Sequence, residues 1–424
     1  MRNFFSAIFL LFTVTIVAQD TYIQCGAIID VASGKSLSEK TIVVSGDKIK
    51  SILRGFTLGT DKDVVIDLRS KVILPGFIDM HVHIESESGP KTYTKRFTDN
   101  AADVAFQSTV YAERTLMAGF TTVRDLGGSG VNIALRKAID KGLVVGPRIF
   151  TAGKAIATTG GHADPTNGMK KELMGNPGPN EGVVNSPADG RKAVRQRYKD
   201  GSDVIKITAT GGVLSVAKSG QNPQFTIEEI KAITETAKDY GMLTAAHAHG
   251  DEGMQRAILG GINTIEHGTM MSDETMDLMK QHNTYLVPTI TAGKQVAEKA
   301  KIKGFFPEIV SQKAAAIGPL VQDMFKRAYK KGVPIAFGTD AGVFPHGLNA
   351  KEFGYMVEAG MPVGEALRSA TITNAKLLGM GDELGQLKEG FVADIIAVDV
   401  NPFKNVHSLE KVTFVMKDGI VFKK

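Results

Sequence analysis

Two periodicities divide the chain of 424 residues. From Thr21 to Pro75, short β-type runs (YIQCGAIIDV, TIVVSGDKIKSIL, DVVIDLRSKVILP) are separated by turn residues such as Gly34-Lys35 and Ser45-Gly46-Asp47. The last forty residues return to that style with DIIAVDV and VTFVMKDGIVFK, where Lys417-Asp418-Gly419 is a strong hairpin signal. Too few strands lie at either end to bury a sheet face alone. Residues 19–75 and 386–424 are therefore expected to pair into one small β-sandwich.

Between them, over 76–385, apolar strand-like runs alternate with amphipathic helical ones. The strands are FIDMHVH, TTVRDL, RIFTAG, VIKIT, LTAAHAH, NTIEHG, TYLVPT and IAFGTD. The clearest helix runs from Ile227 to Tyr240, opened by the capping box Thr226/Glu229 and closed by Gly241. Eight strand–helix units predict an α/β fold, a (β/α)8 TIM barrel. A doubly wound open sheet is the alternative, but it needs fewer strands and no polar residues so placed.

The N-terminus stands apart. Arg2 precedes Phe4–Ala18, FFSAIFLLFTVTIVA, without a charge. A basic start, an apolar stretch too short for a span of about 20 residues, and a small residue at its end predict a signal peptide over 1–18. The chain is then exported, periplasmic or secreted, with no membrane anchor after cleavage. Composition adds exclusions. Charged residues nearly cancel to +5, and no Lys/Arg run is long enough for a nucleic-acid footprint. The only cysteine is Cys25, which rules out an intramolecular disulfide and a thiolate zinc cluster. Any metal must be held by nitrogen and oxygen.

The strand ends supply such groups. His81, His83, His247, His249 and His267 fall at the C-terminal ends of the expected strands, the face where barrel active sites are assembled. His81 and His83, two apart on a strand, share a face and form either a chelating pair or an incidental one. Lys206 sits in VIKIT among apolar and Thr neighbours. It either snorkels out of the mouth or loses its charge and adds CO₂ as a carbamate, which bridges two cations. Asp340 ends GTD as a metal ligand and proton acceptor, or as a helix N-cap. His247 and His267 each read as ligands or as core histidines. Six such residues from five strands converge on one mouth, which chance explains poorly.

These stretches resemble the amidohydrolase superfamily: PGFIDMHVH (75–83), GFTTVRDLGG (119–128), VIKI (204–207), AAHAHG (245–250), IEHGT (265–269), GTDAG (338–342) and GQLKEGFVADIIAVD (385–399). The resemblance implies two divalent cations, most simply Zn²⁺. His81, His83, Lys206 and Asp340 would hold one, and Lys206 as its carbamate, His247 and His267 the other. Mononuclear deaminases of the superfamily carry H-x-x-E on strand five and lack the lysine. Here no Glu stands three residues after His247, although Glu252 stands three after His249. GGHAD (160–164), GGVLS (211–215), QFT (224–226) and GTDAGVFPHG (338–347) resemble the imidazolonepropionase-like branch, with its Xaa-Pro and Xaa-Arg/Lys dipeptidases.

The resemblance implies hydrolysis of an amide or dipeptide substrate, releasing a C-terminal amino acid. It implies attack by a hydroxide that the two cations would share, with Asp340 as general base and then acid. The alternative is a cyclic-amide hydrolase or deaminase using the same centre; a binding or scaffold protein with a relic site is a third reading. Specificity is expected in the loop 158–190 after strand three, rich in Gly, Pro and Asn. His162 in that loop and His346 after strand eight are the expected substrate-binding residues. Arg124 and Asp125 are expected to pair with each other, and His282 and His407 to face solvent. A homo-oligomer is compatible with the sequence.

Overall fold

The computed structural model describes residues 19–424; the stretch read as a signal peptide lies outside the described residues. Strands β1 (Asp20–Asp30), β2 (Lys35–Ser45), β3 (Lys48–Arg54) and β4 (Val64–Pro75) precede the α/β region. That region holds β5 (Phe77–Val82), β6 (Phe120–Asp125), β7 (Arg148–Thr151), β8 (Val204–Thr208), β9 (Leu243–Ala248), β10 (Thr264–His267) and β11 (Tyr285–Val287). The chain ends with β12 (Ile395–Val398), β13 (Val412–Lys417) and β14 (Ile420–Lys423). Among the described residues, no helix is long and apolar enough to cross a membrane.

The two chain ends do meet, in one continuously hydrogen-bonded sheet. Its order is β14-β13-β12-β4-β1-β2-β3, and β12 pairs antiparallel with β4 where the ends join. One face of this sheet gathers Ile23, Cys25, Ile42, Ile395 and Phe414. The other, through Ile396, Val398 and Val412, joins the core shared with the helices. β12 is therefore buried on both sides, which is why it reads IIAV without a polar alternate. Burial pushes the Cys25 thiol up to about 12, leaving it an inert core residue.

The other strands form parallel sheets, β5-β6-β7 and β11-β10-β9-β8. Their edges are joined by isolated parallel bridges, Ile156 to Ile207, Leu286 to Ile335 and Ala341 to Val82. The eighth expected strand, IAFGTD, is present only through such contacts. Pro334 lacks an N–H, and Asp340 leaves extended geometry at φ 61°. Helices fill the connections as the periodicity predicts. The helix Ile227–Asp239 opens on the Thr226/Glu229 box, with Thr226 N donating to Glu229 Oε2 at 2.8 Å. The loop 158–190 is partly ordered: Ala157 pairs with Val183, a short helix spans Lys171–Met174, and its last residues start the helix Pro187–Asp200.

Candidate metal centre

The C-terminal ends of the parallel strands open into one cavity of about 620 Å³. His81, His83, Lys206, His247, His267 and Asp340 all line it, as do His162 and His249. The rings of His81, in β5, and His83, just past its end, lie 5.4 Å apart, as side chains two residues apart along an extended run require. His267 and Asp340 reach inward because their backbones turn left-handed, at φ 73° and 61°. Thr289 does the same at φ 52°, an outlier for a β-branched residue, and puts its hydroxyl 2.7 Å from His267 Nδ1. Such strain persists only where the surroundings enforce it, and here three instances cluster at one mouth.

The donor atoms meet in two groups. His81, His267 and Asp340 offer ligand atoms within 4.8 Å of one another, and so do His247, His249 and His267. His81 Nε2 and His83 Nε2 each lie 3.4 Å from Asp340 Oδ1. Among the described residues, His81 Nε2 and Asp340 Oδ1 are buried without a hydrogen-bond partner. Unpartnered buried groups of opposite preference are costly unless something is shared between them, and a cation fits that space. The far ring nitrogens are held as ligating imidazoles require: His83 Nδ1 by Gly127 O at 2.7 Å, His249 Nδ1 by Thr269 Oγ1 at 2.8 Å. His247 uses Nε2 on Gly211 O at 3.1 Å, leaving Nδ1 free.

Electrostatics agree. Burial, reinforced by the charge of Lys206, pushes His83 down to about 4. Burial takes His162 and His249 to about 3 and His81, His247 and His267 well below the usual range. All are neutral at pH 7, the state that ligates. Burial raises Asp340 and lowers Lys206, whose ammonium has no ion pair or hydrogen bond among the described residues. The residues present fit divalent cations.

Comparison with known proteins agrees with this geometry. The profile described as "Amidohydrolase family" matches residues 72–422. The chain belongs to the amidohydrolase family. A solved Xaa-Pro dipeptidase with methionine bound in its active site is 54% identical, with a TM-score of 0.93 over 96% of this chain and 100% of that one. Aspergillus niger ochratoxinase is 32% identical over 96% of this chain and 87% of its own length. An imidazolonepropionase from Caldanaerobacter subterraneus subsp. tengcongensis is 26% identical over 79% of this chain and 78% of its own. The protein is thus an amidohydrolase of the imidazolonepropionase-like branch, a hydrolase of C–N amide bonds.

Several supports of this amidohydrolase site escaped the sequence reading. Arg124 does not pair with Asp125: consecutive strand residues point to opposite faces. Arg124, fully buried, donates to Glu266 Oε1 at 2.8 Å, Met80 O at 2.6 Å and Thr264 Oγ1 at 3.1 Å. Asp125 turns away and accepts from Ile84 N, Asn132 Nδ2 and Thr151 Oγ1. Glu266 Oε2 comes within 2.9 Å of His81 Nδ1, beneath the metal centre. Asp79 accepts from His81 N, Thr339 and Asn349, tying β5 to the segment carrying Asp340. The signal for both acids was available: a carboxylate inside an otherwise apolar strand, in FIDMH and TIEH.

His346 is not a cavity residue. Its Nε2 lies 3.2 Å from His83 O and 3.1 Å from Ser86 O, and its ring stacks on Tyr111, so it props the loop after β5. His162 is in the cavity, stacked 4.3 Å from His247, with Nδ1 buried and unpartnered. His282 and His407 are exposed. Glu252 pairs with Arg256 on the surface of its helix and takes no part in the site.

Proposed function

We propose that this protein is a binuclear metallo-dipeptidase of (β/α)8 barrel architecture that releases a C-terminal amino acid. The observation that carries this reading is the single cavity uniting His81, His83, Lys206, His247, His267 and Asp340 beneath an aliphatic wall. The similarity to a Xaa-Pro dipeptidase over nearly the whole chain supports it. The edge bridges between the parallel sheets support closure of the barrel.

His81, His83 and Asp340 would hold one divalent cation, most simply Zn²⁺, and His247 and His267 the other, with Lys206 as its carbamate shared by both. When bound, such cations polarise a carbonyl and acidify water. The Asp340 carboxylate, set at the mouth beside His81 and His83, would accept the proton of the attacking water and return it to the leaving amine. Among the described residues His162 Nδ1 has no hydrogen-bond partner, which leaves it to bind the scissile carbonyl oxygen or the substrate carboxylate. Leu126, Val296 and Val343 line the same space and exclude water. The stretch Phe4–Ala18 supports export of the enzyme.

The test is a screen of dipeptides and N-acyl amino acids with zinc-loaded enzyme, beside imidazolonepropionate and a hydantoin. Release of a free C-terminal amino acid is expected. Turnover of the cyclic amides alone would overturn the dipeptidase reading. The histidine in the loop after β7 has its own test. Gly212 lies face-on to the His162 ring, and a Cβ there would overlap Cε1 and Nδ1. Gly212→Ala is expected to displace His162 and lower kcat by about ten- to hundredfold, the scale of a misplaced catalytic contact. Metal content should not change, and kinetics equal to wild type would remove His162 from the reaction.

A further inference from the structure

The loop that follows β8 reaches the cavity at several points. Gly211 O accepts His247 Nε2, Gly212 gives the His162 ring its room, and Val213 and Leu214 form part of the cavity wall. A glycine pair and a run of small residues do not fix such a loop by themselves. What fixes it comes from a helix about a hundred residues further on. Lys313, in the helix Glu308–Ile317, donates to Gly212 O at 2.8 Å, Ser215 O at 2.6 Å and Ala217 O at 2.9 Å.

An ammonium has three N–H donors, and here all three go to carbonyls of one turn. No carboxylate accompanies this half-buried charge among the described residues, and burial lowers its pKa to about 8. A lysine held for solubility or ion pairing would stand in water or against an acid. This one is spent on the loop backbone. The same helix packs Val310, Ala314 and Ile317 against Val213, and Gly220 lies against Ile317 and the Lys313 stem. A second strap comes from the other side, where Tyr93 Oη donates to Leu214 O at 2.7 Å.

We infer that Lys313 is a positioning residue for substrate recognition: by clamping the Gly212–Ala217 turn it sets the aliphatic wall that receives an apolar substrate side chain. The inference rests on the dipeptidase reading and deepens it. The substrates favoured carry an aliphatic side chain against Val213, Leu214, Val296 and Ile317. Substrates without that side chain have little to lose when the wall moves.

The experiment compares Lys313→Met, Lys313→Arg and Tyr93→Phe with wild type, all zinc-loaded, on two dipeptides differing only in Leu against Gly at one position. Hydrogen exchange of the 211–220 segment is measured alongside. For Lys313→Met, exchange in the segment should rise and KM for the leucine substrate should increase about tenfold. The glycine substrate should lose clearly less in KM than the leucine substrate, any loss through His162 being common to both, and the metal content should not change. Lys313→Arg, which keeps charged donors, should recover much of the loss, and Tyr93→Phe should show the same pattern more weakly. Wild-type exchange and an unchanged Leu/Gly ratio in Lys313→Met would overturn the inference, as would an equal loss on both substrates. If Lys313→Met does not fold, Tyr93→Phe carries the same comparison. If wild type cleaves neither dipeptide, the dipeptidase reading fails, and the exchange data still decide whether Lys313 clamps the turn.

Discussion

Lys206→Ala should emerge from zinc-supplemented expression folded but depleted of both cations and inactive. The lysine is 4% exposed in the middle of β8, and among the described residues its amine makes no hydrogen bond or ion pair, although the carboxylates of Glu266 and Asp340 lie near enough to act on its charge. Burying a bare ammonium there is unfavourable, so removing it relieves a cost rather than opening a fault in the core. Unfolding is therefore not the expected reason for lost activity. If Lys206 serves as a carbamate shared by two cations, its loss weakens both sites at once. Each lost Lewis acid is worth several kcal/mol of transition-state stabilisation, so activity should fall by about 10³-fold or more. Metal analysis after gel filtration, with thermal unfolding as the check on folding, decides the matter. Two tightly retained ions in Lys206→Ala would refute the shared carbamate and leave the histidines and Asp340 as the whole centre.

The convergence of six polar side chains on one cavity was legible in sequence because strand ends are legible. An apolar run fixes where a strand stops, and the two-residue period fixes which side chains share its inner face. That sufficed for His81, His83, Lys206, His247, His267 and Asp340, which all line the cavity. It did not suffice where the decisive information was a partner's identity. Arg124 stands next to Asp125 in the chain yet pairs with Glu266, 142 residues away, because the strand sends neighbours to opposite sides. His346 lies in a loop that sequence assigns to the correct mouth, but the direction of its ring is set by Thr115 and Tyr111 on a helix 231 residues earlier and by two carbonyls. The chain ends give the same lesson. Their alternation revealed strands with buried faces, but which strands join the two ends depends on the pairing of β4 with β12, which the pattern does not encode.

The Arg124–Glu266 pair leads to the second large expectation, this time in stability. Both side chains are fully buried, and Glu266 also receives a hydrogen bond from Thr264 Oγ1 at 2.5 Å. Arg124→Met leaves that carboxylate without its counter-charge in the interior, and breaking a buried pair from one side costs about 3–5 kcal/mol. Against a total of about 5–15 kcal/mol, that is a large fraction of the fold. The double variant Arg124→Met/Glu266→Met removes the stranded charge as well. It should recover most of the loss, since replacing both members of a buried pair with apolar groups is often neutral. Recovery of the fold is not recovery of the site. Glu266 Oε2 lies 2.9 Å from His81 Nδ1, so the double variant leaves that imidazole without its carboxylate neighbour. Loss of such an outer partner lowers metal affinity by about 10–100-fold. Urea midpoints at matched slopes read the first effect, and zinc titration of the apo-protein reads the second. A single variant as stable as wild type would mean that Glu266 is carried by Thr264 and His81 without Arg124. A double variant with wild-type zinc affinity would mean that Glu266 serves the fold alone.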